Sequence, residues 1–326
     1  MNYPLPVFLT TLLWVFFSCS PDTAPGEGPK APLVQEQEGD QLPTIPFTLS
    51  RNRVIVPVTV NSPRVLNLVL DTGMGFDGIL IFRGDLKDSL GLERTFEAKV
   101  PGAGGGKPST AIVADSMTIR TGQLEHTNQR IIVLQRTPIR SRTTDGVIGY
   151  SLLGHYALEI DYDEMLLILH QPENFRPDSS WEGIPLTFNR NQLPFLKTSV
   201  VIKDEDPIPL NVYIDFAAGE AVELLEREGM KFALPDETEE SYLGTGLSGD
   251  IHGRVGRIAK LFLGPYELND VVAAFAPAEI RSKQEGADGI LGSDALRRFN
   301  IVFDYAHKRL WIKPNSHFHE PFRSED

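Results

Sequence analysis

Beyond residue 45 the chain is built from short, β-branched apolar runs separated by Gly, Pro and Asp turns. Val54-Ile55-Val56-Pro57-Val58-Thr59-Val60 and Ser199-Val200-Val201-Ile202 are such runs, and their side chains suit a pleated, half-buried surface. Residues 157–162 followed by 165–169 read as a hairpin, and residues 299–305 followed by 309–312 read as another. Helical spacing is scarce, with residues 221–227 and 295–298 as the two candidates. Many short strands with Gly-rich turns predict an all-β chain of barrels or sandwiches.

The pattern occurs twice. Asp145-Gly146-Val147-Ile148-Gly149 leads to Asp161-Tyr162, and Asp288-Gly289-Ile290-Leu291-Gly292 leads to Asp304-Tyr305, at a constant offset of 143 (288 − 145). Ahead of each block an acidic residue closes an apolar run, Asp71 in Leu70-Asp71-Thr72-Gly73 and Asp215 in Ile214-Asp215-Phe216-Ala217. Residues 45–52 and 184–191 also match, at an offset of 139 (184 − 45), so the second copy carries a small insertion. The polar, Pro-containing stretch at 203–207 is the expected place, because a hairpin tip tolerates added length. The halves are therefore residues 45–172 and 184–315, joined by a Pro- and Ser-containing segment at 173–183 and followed by a polar tail at 316–326.

Composition narrows the function classes. The chain has 326 residues, enough for two ordinary domains, and a formal net charge of −13 that argues against a nucleic-acid partner needing a basic face. Cys19 is the one cysteine, so no intramolecular disulfide is possible. It follows an apolar run at 7–18 that is shorter than the roughly 20 residues of a membrane span but fits a signal peptide over residues 1–18. With Ser18 before it, Cys19 resembles the lipobox of bacterial lipoproteins, which implies cleavage before Cys19 and a lipidated N-terminus. The segment departs from that pattern in having no Lys or Arg ahead of the run and Phe16 where Leu is usual, so an ordinary signal peptide or anchor stays open. Residues 19–44, rich in Pro, Gly, Glu and Gln, read as a flexible tether. The expectation is an exported protein, lipid-anchored in a bacterial cell envelope.

Candidate chemistry rests on the two acids. Alone, Asp71-Thr72-Gly73 is a strand followed by a tight turn. Its apolar lead, the apolar–apolar–Gly block that follows and the second copy of the whole give it more weight. Val69-Leu70-Asp71-Thr72-Gly73 with Gly146-Val147-Ile148-Gly149 resembles the active-site half of pepsin-like and retropepsin-like aspartic proteases. The segment from Leu243-Gly244-Thr245-Gly246-Leu247-Ser248-Gly249 through Phe262-Leu263-Gly264-Pro265-Tyr266 is similar to the second lobe of bacterial two-lobed members. The resemblance covers both halves.

It implies an acid-protease-like fold, with two related β-barrel lobes and a cleft between them, acting as an endopeptidase on peptide or protein substrates. It further implies Asp71 and Asp215 as the catalytic pair, no metal or organic cofactor, and a monomer that supplies both acids. Thr72 would bond across to the other lobe, Gly73 would allow close approach, and the strands ending at Gly149 and Gly292 would pack behind the acid loops. The second motif departs from the family, since Phe216 has no hydroxyl and Ala217 brings a Cβ where glycine is usual. That departure carries an alternative, a protease-fold protein of weak or absent activity that binds extended peptides. A homodimer of single lobes is disfavoured because the second copy already supplies an internal partner.

Other features read as structural or as accessory. Residues 100–109 lie where the family has a flap, although a plain surface turn fits them equally. Gly102 to Lys107 is one residue short of a phosphate loop, and Pro108 stands where Ser or Thr is needed. Asp145, Asp161, Asp288 and Asp304 read as turn-capping residues. His317 and His319 read as surface residues rather than metal ligands.

Overall fold

The computed structural model describes residues 43–323 apart from 62, 138, 140, 142, 204 and 282–285. The signal peptide, Cys19 and residues 20–42 of the tether lie outside the described residues.

Each half closes into a six-stranded barrel. In the first, the strands run in the order Arg53–Val60, Val65–Leu70, Gly146–Ile148, Gly78–Ile81, Leu124–Leu134 and Ser109–Thr121. Pairing of Thr59 and Val60 with Arg120 and Ile119 closes the ring. The second repeats this order with Pro194–Val201, Ile208–Ile214, Gly289–Leu291, Val222–Glu226, Tyr266–Pro277 and Gly249–Leu263, closed by Ser199–Val201 against Lys260–Phe262. Val54, Val56, Val58 and Val60 alternate into the core, as β-branched residues on a pleat should.

Residues 221–227 were expected to be helical, but Val222–Glu226 is a strand. It pairs in parallel with Ala273–Pro277 and antiparallel with Gly289–Leu291. The Glu-Leu-Leu-Glu run favours a helix locally, but a position flanked by strands on both sides overrides so weak a preference. The second candidate forms a short helix at Ser293–Leu296, and its counterpart is Tyr150–Leu153.

A third sheet joins the lobes, in the order Thr44–Pro46, Leu166–His170, Ala157–Asp161, Phe299–Asp304, Arg309–Pro314 and Glu182–Pro185. Its centre is the pairing of Leu158, Glu159 and Ile160 with Phe303, Val302 and Ile301, where equivalent strands of the two halves meet. The two hairpins read from the sequence are the arms on either side of this seam. Residues 315–322 lie against the second lobe, with Phe322 buried under the Arg298 guanidinium and the Arg298 side chain donating to the Glu320 and His317 carbonyls. Hydrogen bonds from His317 and Arg297 hold the Glu320 carboxyl down to about 2.

The repeated block acids pin neighbouring strands. Asp145 accepts the Asn67 N–H at 2.9 Å, and Asp288 accepts the Asn211 N–H at 2.9 Å. Asp288 also receives Arg227 and Lys231, each at 2.7 Å. Burial pushes its pKa up, but the bonds from Lys231 and the Asn211 N–H, with both positive charges, outweigh that and hold it below the usual carboxylate value. A depressed folded pKa contributes stability above the unfolded value and loses it as pH falls through the folded one. Asp288→Ala should therefore cost about 0.5–1.5 kcal/mol at neutral pH, since Arg227 and Lys231 are partly exposed and can turn to water. In urea unfolding the gap from wild type should narrow below about pH 4. An equal gap at neutral and acid pH would contradict the ionic account.

Candidate active site

Asp71 and Asp215 close equivalent strands, Val65–Leu70 and Ile208–Ile214, each paired in parallel with its apolar block strand. The chain then turns in the same way in both halves. The Asp71 N–H donates to Ile148 O at 2.8 Å, and the Gly73 N–H donates to Asp71 Oδ1 at 2.6 Å. The Asp215 N–H donates to Leu291 O at 2.9 Å, and the Ala217 N–H donates to Asp215 Oδ1 at 2.8 Å. Ala217 therefore preserves the loop's own hydrogen bond despite its added Cβ.

The block glycines lie where contact with the acid loops leaves no room for a side chain. A Cβ on Gly149 would lie 2.1 Å from the Asp71 carbonyl oxygen, and one on Gly292 would lie 2.2 Å from the Glu220 carbonyl oxygen. At Gly73 it would lie 2.9 Å from Asp71 Oδ1 and 3.2 Å from the Tyr213 hydroxyl.

Thr72 crosses between the lobes. Its buried hydroxyl donates to Ile214 O at 2.6 Å and accepts the Phe216 N–H at 3.4 Å. The reciprocal arm is missing because Phe216 has no hydroxyl; its buried ring instead packs edge-on to Phe303 of the joining sheet, at 5.7 Å. The Phe216 carbonyl accepts the Ser293 hydroxyl at 2.7 Å. Two further cross-lobe contacts come from equivalent asparagines but differ in kind. Asn52 Nδ2 donates to Gly219 O at 3.2 Å, while the Asn191 carbonyl presses on Gly75, where a Cβ would come within 2.1 Å.

Two hairpins roof the cleft. Residues 101–108 link Phe96–Val100 to Ser109–Thr121, and Leu247-Ser248 links Thr238–Gly246 to Gly249–Leu263. The tips touch through backbone bonds, Gly106 N–H to Ser248 O at 2.6 Å and Ser248 N–H to Ala103 O at 2.8 Å. Ser109 Oγ adds a bond to Leu247 O at 2.8 Å. The glycines here admit another backbone, since a Cβ on Gly106 would lie 2.3 Å from Ser248 O. The stretch at 100–109 is thus tied to the second lobe rather than being a free surface turn.

Sequence reasoning missed Tyr213, which lies two residues before Asp215 on the same strand face. Its hydroxyl is 3.4 Å from Thr72 Oγ1. Burial, then the charges of Asp215 and Asp71, push its pKa well up, so the phenol stays protonated. Tyr305 is raised likewise by burial, then by Tyr150 and Asp71. The period of two along the strand was a readable signal for Tyr213, because it puts residue 213 beside residue 215. Among the described residues no group of three or more His, Cys, Asp or Glu could hold a metal.

Comparison with known proteins agrees with this geometry. The sequence model of the Aspartyl protease family matches residues 56–152, the first lobe with Asp71 and Gly149. The crystal structure of an aspartic proteinase from Irpex lacteus is similar in fold, with a TM-score of 0.51 and 14% identity. The match covers 85% of this chain and 98% of that one. The chain thus has the two-lobed all-β fold of that aspartic proteinase, and its first lobe matches the Aspartyl protease family model. No curated protein matches it in sequence.

In this aspartic protease fold the asymmetry is local. The acids and the block glycines are twofold, while the threonine bridge is built from one side. Thr72→Val should cost about 1–3 kcal/mol in urea unfolding, because it leaves a buried carbonyl and N–H unmet. A change within about 0.3 kcal/mol, the scatter of independent sites, would show that the bridge carries no stability.

Proposed function

We propose that the protein is an aspartic endopeptidase in which Asp71 and Asp215 activate one water against a peptide carbonyl. The observation that carries this reading is the Thr72 bridge, which ties the two acid loops together across the lobes. Two adjacent carboxyls cannot both ionise easily, so they share one proton. The ionised member takes a proton from water as its oxygen attacks the carbonyl carbon. The neutral member donates to the carbonyl oxygen, and the collapsing intermediate passes a proton to the leaving nitrogen. No metal or organic cofactor enters this scheme.

The two-sided roof and the sheet edges beneath it suit an extended peptide, held by main-chain hydrogen bonds. We further propose a monomer, since one chain supplies both acids. Export and lipid attachment at Cys19 belong to the same proposal, and they place the body at a bacterial envelope facing protein or peptide substrates. A specific observation keeps a second reading, binding without turnover: Phe216 removes one arm of the bridge.

Cleavage of a peptide library by residues 43–326, scanned from acid to neutral pH, separates the readings. Asp71→Asn and Asp215→Asn should each lower kcat by about 10²–10⁴-fold with the fold intact. Peptide binding that persists in Asp215→Asn, with no turnover in the wild type, would establish the binding reading instead.

A further inference from the structure

The second lobe has no bridging hydroxyl at residue 216, yet a hydroxyl from the same lobe, that of Tyr213, lies 3.4 Å from Thr72 Oγ1. We propose that the Tyr213 phenol is a positioning residue that replaces the missing hydroxyl, donating to Thr72 Oγ1 and through it holding the two acid loops in register. The proposal rests on the peptidase reading for its catalytic consequence.

The argument begins with the duplication. Val69, Val147 and Leu80 lie side by side across three strands of the first lobe, and Tyr213, Ile290 and Glu223 are their counterparts in the second. The first row is wholly apolar, so a phenol at residue 213 is not demanded by the barrel. Its ring packs on Phe195 at 5.9 Å, which a phenylalanine would do as well. The hydroxyl is what needs explaining, because a buried phenol without a partner costs free energy.

Thr72 supplies the partner. The single hydroxyl proton of Thr72 goes to Ile214 O at 2.6 Å, which leaves two lone pairs. The Phe216 N–H takes one at 3.4 Å, and the Tyr213 hydroxyl lies at 3.4 Å from the same oxygen. With Thr72 Oγ1 already donating, the phenol is the donor. The same hydroxyl lies 3.2 Å from the place a Cβ on Gly73 would occupy, so it also abuts the Asp71 loop. Burial and the two nearby acids keep the phenol protonated, and therefore a donor, across the working range. One hydroxyl thus reaches the Asp71 loop at Thr72 and beside Gly73, from within the strand that carries Asp215.

The test is a double-mutant cycle in steady-state kinetics on a cleaved peptide, with wild type, Tyr213→Phe, Thr72→Val and the double variant. Each single change is expected to lower kcat about 10-fold with KM little changed, and the double change to cost little more, because coupled positions are strongly non-additive. Thr72→Ser keeps the acceptor and should restore most of kcat. Multiplying losses, of about 100-fold in the double variant, would overturn the proposal, as would a Tyr213→Phe enzyme with wild-type kcat. A wild type that cleaves nothing sinks the peptidase reading on its own. The same cycle in urea midpoints then decides the contact, where a double-variant shift smaller than the sum of the single shifts supports it and an additive shift overturns it.

Discussion

The hydrogen bond from the Thr72 hydroxyl to the Ile214 carbonyl is the constraint on which the site depends. Two carboxyls from separate lobes can cooperate only if their loops are held to within a fraction of an ångström. A buried side-chain bond at 2.6 Å between those loops has the required stiffness. The parallel pairing of each acid strand with its block strand, and the glycines behind each loop, set the height of each acid within its own lobe. Thr72 sets one lobe against the other.

Duplication explains both the regular and the irregular parts. Twofold features survive wherever each copy needs them to fold, as with the Asn67–Asp145 and Asn211–Asp288 clasps. Asymmetry appears both at the bridge and inside the second barrel. Phe216 uses its position to fill the core against Phe303, and Glu223 occupies the buried position equivalent to Leu80 of the first copy.

Much of this was legible in the chain. The repeat placed the acids, the block strands and the seam hairpins, because period-two patterning and Asp-Gly turns are local signals. The loss of a hydroxyl at residue 216 was equally plain. Tyr213 was not read, since its role depends on a partner 141 residues away (213 − 72) across a lobe boundary. The second roof hairpin was visible only as a Gly-rich stretch, because nothing local says that Ser248 will meet Ala103. Residues 221–227 misled for the converse reason, where local helix preference was clear and the barrel overruled it.

Magnitudes separate what holds the lobes together from what aligns them. Leu158, Ile160, Ile301 and Phe303 meet fully buried at the seam, and each such side chain contributes about 1.5–3 kcal/mol. A hydrogen bond like that of Thr72 nets only about 0.5–1.5 kcal/mol. The seam therefore decides whether the lobes associate, and it would do so without Thr72. A non-directional apolar contact, however, leaves the lobes free to slide by small amounts at little cost. Directional bonds remove that freedom, and they sit where sliding would matter, between the loops that carry Asp71 and Asp215. On this account the threonine is worth little to folding relative to the seam and much to geometry. A chain that has drifted at residue 216 would then be expected to keep a hydroxyl pointed at that spot from wherever one can reach it.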